Sequence, residues 1–354
     1  MKRKNIVGSA VLCAFLLVIS VGYLLLPKRD FSRLEKRNLE KMPEFTINAI
    51  LDGSWAEETE DFLADQMPGR DFFVGLNAYY EKMLGLQKAK PIWVLNGKLV
   101  RRPVKAQQGV MERQIGAINR FAEQMDVPVA LSLIPSCGFA LEAPEYKDEA
   151  LIGEAYVLSN VETIDLREVF RGRPDLFYST DHHWTSAGAF EAYRVLMGCF
   201  EKPVETAYSI ETFDNFRGAN YAASGLWLTP AEKMELWTGP APITSICAGV
   251  SHEGVFFRDQ LEEYNPYQVF LNGNQPLIHL YNPNGHGKLL VVRDSFASSL
   301  AGFLAQSYAQ VTLVDLRHYK QPLSLLVEQE HFDQILVLYS LENLITDTNL
   351  ILLR

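Results

Sequence analysis

Cysteine is scarce in this chain. There are four in 354 residues (Cys13, Cys137, Cys199, Cys247), with no CxxC pair and no Cys/His spacing of a metal site. Cys13 falls in an N-terminal apolar run, so at most one disulfide can form among the other three, and the fold is not disulfide-built. No Walker phosphate loop, dinucleotide fingerprint or HExxH zinc helix is present, so no cofactor is expected. Basic charge is also in deficit, with 33 Lys and Arg against 43 Asp and Glu, a net of −10. Residues 1–30 hold five basic and one acidic residue, which leaves 28 basic and 42 acidic in residues 31–354, a net of −14. An acidic body lacks the cationic surface that phosphate backbones require, which argues against nucleic acid as a partner. It leaves a neutral or acidic polysaccharide open. No internal repeat and no low-complexity segment is visible.

What is present begins with residues 6–26, an uncharged apolar stretch preceded by Lys2-Arg3-Lys4. It is long enough to span a bilayer as a helix. Ser20-Val21-Gly22 makes a poor cleavage site, and Leu24-Leu25-Leu26 continues the apolar run, which favours an uncleaved anchor over a signal peptide. Lys28, Arg29, Arg33, Lys36, Arg37 and Lys41 follow the span and by count would hold the body inside. Long domains translocate largely regardless of such charge, so the residues alone leave orientation open.

Three segments are expected: an anchor over 1–30, a juxtamembrane helical part over 31–90, and an α/β domain over 91–354. Ser54 with Glu57 reads as a capping box opening a helix that stops before Pro68, and a second helix is expected over 71–84. Asn96-Gly97 between two apolar runs is a hairpin signal. Helices are expected over 111–125 and 185–200, and strands over 127–134 and 161–166. The last third alternates strand 289–293, helix 298–306, strand 311–316, helix 323–330, strand 334–339. Such alternation argues for a mainly parallel sheet covered by helices, with ligands at the carboxyl ends of its strands.

Two stretches carry chemistry. Tyr178-Ser179-Thr180-Asp181-His182-His183-Trp184-Thr185 places an acid and an imidazole two residues apart, which on an extended segment face the same way. Asp181 can then hold one ring nitrogen of His183 while the other is offered to a nucleophile. Ser295 follows the apolar run Leu289-Leu290-Val291-Val292 and precedes a helix, whose start offers N–H donors to an oxyanion. The bland reading of Ser295 is a helix N-cap. By the same alternation His182 and His183 point to opposite faces, which argues against a metal pair, and Trp184 reads as packing that fixes the segment. Gly218, Asn220 and Tyr221, within Phe216-Arg217-Gly218-Ala219-Asn220-Tyr221, and Arg317, within Asp315-Leu316-Arg317-His318-Tyr319, are candidates for oxyanion or substrate contacts. Turn structure is the alternative for each.

Asp181-His182-His183-Trp184 resembles the signature of the DHHW family, related to bacterial alginate O-acetyltransferases with SGNH-hydrolase-like domains. Phe31-Ser32-Arg33-Leu34-Glu35-Lys36-Arg37-Asn38-Leu39, Asp65-Gln66-Met67-Pro68-Gly69-Arg70-Asp71, Arg293-Asp294-Ser295-Phe296-Ala297 and Val314-Asp315-Leu316-Arg317 are similar to other stretches of that family. The resemblance implies a permuted SGNH-like α/β fold, with Asp181 as acid, His183 as base and Ser295 as nucleophile. It also implies an exported domain on a membrane anchor. The chain departs from the family where Gly-Thr-x-Tyr-Ser is expected and Gly218-Ala219-Asn220-Tyr221-Ala222 stands. The expected activity is O-acyl transfer, most naturally O-acetyl transfer, to a cell-envelope polysaccharide. An SGNH-type carbohydrate esterase and a non-catalytic glycan- or partner-binding protein are the alternatives. If the reaction is transfer, a separate multi-span membrane-bound O-acyltransferase is the expected acyl donor, since an exported chain without a nucleotide loop cannot draw on cytoplasmic acetyl-CoA.

Overall fold

The computed structural model describes residues 2–86 and 90–353, with side chains from residue 6 onward. The boundary expected near residue 90 abuts 87–89, which lie outside the described residues, as do the side chains of Lys2-Arg3-Lys4. The chain divides into two compact units, Met1–Ala89 with Tyr221–Thr229, and Lys90–Asn220 with Pro230–Arg354.

The first unit is helical. Its N-terminal helix, Lys2–Leu25, contains Ile6–Leu25, which is long and apolar enough to cross a membrane and has none of that window buried. Helices Ser54–Asp65 and Arg70–Met83 follow, the first stopping before Pro68 as expected and the second ending one residue short of its expected stop. The capping box does not form. Gly53, at φ 84°, is the N-cap and Ser54 is already helical, because a left-handed glycine redirects the chain one residue earlier.

The second unit is built on one eight-stranded sheet. Its strands are β1 (Val129–Ile134), β2 (Glu162–Asp165), β3 (Thr244–Cys247), β4 (Val250–Glu253), β5 (Leu277–Tyr281), β6 (Lys288–Arg293), β7 (Gln310–Val314) and β8 (Gln334–Ser340). The spatial order is β4-β3-β5-β7-β6-β8-β1-β2. From β7 to β2 all pairs are parallel, and β5, β3 and β4 extend the sheet antiparallel. Consecutive strands β6 and β7 are neighbours, whereas the next, β8, lies on the other side of β6. The carboxyl end of β6 is therefore a place where the chain reverses its winding direction, the usual position of a ligand crevice in such sheets.

Alternation along β6 shows why both faces are covered. Leu289 and Val291 pack with helices α3 (Ser186–Cys199) and α4 (Ala297–Ser307) on one face. Leu290 and Val292 pack with α1 (Val110–Glu123), α2 (Asp148–Leu158), α5 (Leu323–Glu330) and α6 (Leu341–Thr346) on the other. All four β6 residues are fully buried, so the strand reads as a continuous apolar run, as a central parallel strand must. The Asn96-Gly97 hairpin joins Ile92–Leu95 to Lys98–Arg101, with φ 48° and 82° at its two corner residues, the positive values a two-residue turn requires.

Candidate active site

The stretch from Phe177 to Trp184 is not a strand. Those two residues form an isolated antiparallel bridge, and residues 179–183 bend tightly between them. Tyr178 N–H donates to the His183 carbonyl (3.1 Å), and Glu232 accepts from the N–H of Ser179 (2.7 Å) and of Thr180 (2.6 Å). Lys98 donates from the hairpin to the Phe177 carbonyl (2.7 Å). Side-chain direction in this loop is set by those bonds and not by pleat alternation. The expectation that His182 and His183 face opposite ways therefore fails: their rings lie 3.9 Å apart at an angle of 37°.

Asp181 and His183 nonetheless meet. Asp181 Oδ1 accepts from the His183 backbone N–H (3.0 Å) and from its Nδ1 (2.6 Å), and Oδ2 accepts from Ala219 N–H (2.6 Å). Since the partner of Nδ1 is a carboxylate, Nδ1 carries the proton, and Nε2 is left to accept from Ser295 Oγ at 2.8 Å. Burial alone would raise the Asp181 pKa. The two imidazoles beside it, His182 and His183, with hydrogen bonds from His183 and Ala219, outweigh it and hold the carboxyl well below its ordinary value. Burial first, then repulsion from His183, pushes His182 well below the ordinary imidazole range, which keeps it neutral.

The sign of the Asp181 shift sets a pH dependence. A carboxylate whose folded value is depressed contributes stability in full above its unfolded value, about 3.9, and loses it as pH falls through the lower folded value. The difference in unfolding free energy between wild type and Asp181→Asn is expected to be constant above about pH 5 and to shrink below about pH 4. Denaturant titrations across that range measure it.

Ser295 stands two residues past β6 and is not an N-cap. The residue before α4 is Phe296, in helical conformation and without a side-chain cap. Asp294 fixes the turn instead: Oδ1 accepts from Phe296 N–H (3.0 Å), and Oδ2 from Ser340 N–H and Asn343 Nδ2 (2.8 Å each). Trp184, fully buried, donates from Nε1 to the Phe296 carbonyl (3.1 Å) and Ser299 Oγ (2.9 Å), tying the histidine loop to the start of α4. Tyr267 stacks on the His183 ring at 3.9 Å and 9°, and its hydroxyl shares a hydrogen bond with Ser299 Oγ (3.2 Å). Sequence reasoning missed Tyr267 and Glu232, which sit alone in unpatterned segments. The signal for Asp294 was its place beside Ser295.

A cleft of about 250 Å³ opens over these groups, lined by Asp181, His182, His183 and Ser295 and by Arg101, Asn265, Gln268, Asn274, Arg317, Glu342 and Asn343 among others. Arg317 reaches it while held by Asp315 through Nε (2.9 Å) and Nη2 (2.6 Å). The other oxyanion candidates sit elsewhere. Gly218 N–H is given to Thr180 Oγ1 (3.0 Å), Asn220 Nδ2 to the Leu99 carbonyl (2.8 Å), and Tyr221 Oη to the Trp227 carbonyl (3.3 Å). None of the three lines the cleft. Asp181, His182 and His183 also bring potential metal-ligand atoms within 4.8 Å of one another, although both ring nitrogens of His183 already have partners.

Gly218 has a different part to play. A Cβ there would lie 2.2 Å from Asp181 Cβ and 2.3 Å from its Oδ2, so only glycine lets this loop back the carboxylate. Gly218→Ala is expected to cost about 1–3 kcal/mol of stability. Moving Asp181 by an ångström should lower turnover about 100-fold. Thermal unfolding and ester turnover of the variant check both.

No known family profile matches the chain, and no curated protein sequence does. Solved structures do. A DHHW family protein from Eubacterium siraeum aligns with TM-score 0.61 at 16% identity, over 74% of this chain and 93% of that one. Bacillus cereus PatB1 aligns with TM-score 0.59 at 21% identity, over 73% and 98%, and again at 20% identity in its structure with a sulfonyl adduct. At these identities the likeness is one of fold: the chain shares the α/β architecture of a DHHW family protein and of PatB1.

Proposed function

We propose that this chain is an extracytoplasmic serine O-acyltransferase, most naturally an O-acetyltransferase, acting on a cell-envelope polysaccharide. The observation that carries the reading is the hydrogen-bonded series Asp181–His183–Ser295 at the carboxyl end of β6, open to a polar cleft. In the proposed reaction Ser295 Oγ attacks the acyl carbonyl while His183 Nε2 takes its proton, and Asp181 stabilises the imidazolium. The N–H of Ser295, just before α4, is the proposed donor to the developing oxyanion. Collapse expels the donor alcohol, to which His183 returns the proton, and leaves an acyl-serine. A sugar hydroxyl, deprotonated by the same nitrogen, then takes the acyl group and restores Ser295.

The amides and paired arginines along the cleft suit a hydroxyl-rich acceptor, and Arg317 is the proposed substrate contact among them. The apolar helix Ile6–Leu25 is the proposed anchor, with the catalytic domain outside. A multi-span membrane acyltransferase is the proposed donor, because one span cannot carry an acyl group across a bilayer. The sulfonyl adduct of PatB1 supports the reading by analogy of fold, since sulfonyl groups are captured by activated nucleophiles.

The test is turnover of an activated acetyl ester by the purified chain, with and without envelope oligosaccharides. Acetylated sugar supports transfer. Free acetate alone, whatever the acceptor, makes the chain an esterase, and no turnover at all makes it a binding protein. In cells, Ser295-dependent glycan acetylation that survives loss of every membrane acyltransferase would overturn the relay.

A further inference from the structure

A segment of unusual backbone borders the cleft. Leu271, Asn272 and Gly273 hold φ of 60°, 56° and 78°, three left-handed residues in succession. Glycine adopts that region freely and asparagine tolerates it, but for leucine it is unfavourable. Leu271 is nevertheless fully buried, and its N–H donates to the Val255 carbonyl (3.1 Å). Strain of this kind persists only where the surroundings fix it, and it gathers at binding and catalytic sites.

Here the surroundings are the proposed catalytic elements. Arg293, the last residue of β6 and fully buried, donates from Nη2 to the Gln275 carbonyl (3.5 Å) and from Nη1 to Ser298 Oγ in α4 (3.0 Å). Gln275 donates from Nε2 to the Asn272 carbonyl (3.0 Å), which closes the left-handed run. At the other end of the segment Tyr267 stacks on the His183 ring. The segment is thus pinned to the histidine loop and to the turn of Ser295, and it lines the cleft with the amides of Asn265, Gln268 and Asn274. None of these three side chains makes a hydrogen bond among the described residues. Each offers two donors and an acceptor, the complement of sugar hydroxyls. Charge along the same cleft is balanced: Arg101 and Arg317 stand against Asp181 and Glu342. Arg101 already meets Glu342 at 3.2 Å, and Arg317 is held by Asp315 at 2.6 Å. An acidic chain would gain no net attraction there and would bring its carboxylates against Glu342.

We infer that Asn265, Gln268 and Asn274 form the acceptor subsite, and that it takes an uncharged glycan and not a polyanionic one. The inference rests on the reading of the chain as a polysaccharide acyltransferase and narrows its substrate class. The left-handed run and Arg293 act as positioning devices. They hold the amides over the cleft of Ser295 before a sugar arrives, so that binding has little left to order.

The test measures binding apart from turnover, on the full chain carrying Ser295→Ala. The probes are a β-1,4-linked pentamer of N-acetylglucosamine, which is neutral, and one of glucuronic acid, which bears a carboxylate on every sugar. Calorimetry is expected to show the neutral pentamer bound at least about tenfold more tightly. Raising the salt from about 0.05 to 0.3 M should leave its Kd within about twofold. Asn274→Ala and Gln268→Ala are each expected to weaken it about fivefold, the loss of one hydrogen bond. Asn274 is exposed, so its replacement removes no packing, and thermal unfolding checks that both variants remain folded. Tighter binding of the acidic pentamer, binding of neither, or an unchanged Kd in the double variant overturns the inference. Amide-dependent binding of the neutral pentamer, in a chain whose wild type never transfers acetyl, keeps the subsite and overturns the transferase reading instead.

Discussion

Ser295→Ala is expected to lower ester turnover by about 10⁶-fold while leaving the unfolding free energy within about 1 kcal/mol of wild type. The separation follows from what the hydroxyl does. Its one described side-chain hydrogen bond is to His183 Nε2, and the turn that carries it is held by Asp294 through Phe296, Ser340 and Asn343. Alanine removes the proposed nucleophile and none of those supports. Substrate binding in the cleft should persist, so the variant is expected to bind an oligosaccharide that it no longer acetylates. A folded variant with full turnover would remove Ser295 from the mechanism.

His183→Ala is expected to match that loss, and His182→Ala to cost about tenfold. The two rings touch, so either change disturbs the loop packing, but only His183 bridges a carboxylate and a hydroxyl. Loss of that imidazole leaves Ser295 with no group to take its proton, and removing one member of such a unit costs about as much as removing all. His182 contributes contact with His183 and an edge against Phe296 at 5.9 Å, which position the proposed base without exchanging protons with it. The readout is turnover paired with unfolding, so that a positioning loss is told from a chemical one. Turnover surviving in His183→Ala and lost in His182→Ala would reverse the assignment.

The fold was legible where hydrophobic period and length agree. The β6–α4–β7–α5–β8 run of the last third alternates buried apolar strands with helices of ordinary length, and each expected element forms within two residues at either end. The antiparallel extension β3, β4 and β5 and the ribbon Ser209–Phe216 with Glu232–Thr238 were not foreseen. Most of Ser209–Phe216 is exposed and polar, so its strand character comes from pairing and not from a buried face. Of the candidate site, Asp181, His183 and Ser295 were each visible from local sequence, yet the reason given for the first two was wrong. Their approach rests on a loop closed by Phe177 and Trp184 and braced by Glu232 and Lys98, contacts between residues far apart in the chain. Gly218 shows the same limit. Its glycine is needed for the close approach to Asp181, which no window around residue 218 reveals.

The central claim is that Ser295 is an activated nucleophile. It is tested most directly by brief reaction of the purified full chain with an activated acetyl ester, followed by acid quench and peptide mass spectrometry, alongside a sulfonyl fluoride as a trapping reagent. One acetyl or sulfonyl group on Ser295 is expected in wild type, and none on that residue in His183→Ala. Label on another residue, or equal labelling of Ser295 with and without His183, would contradict it.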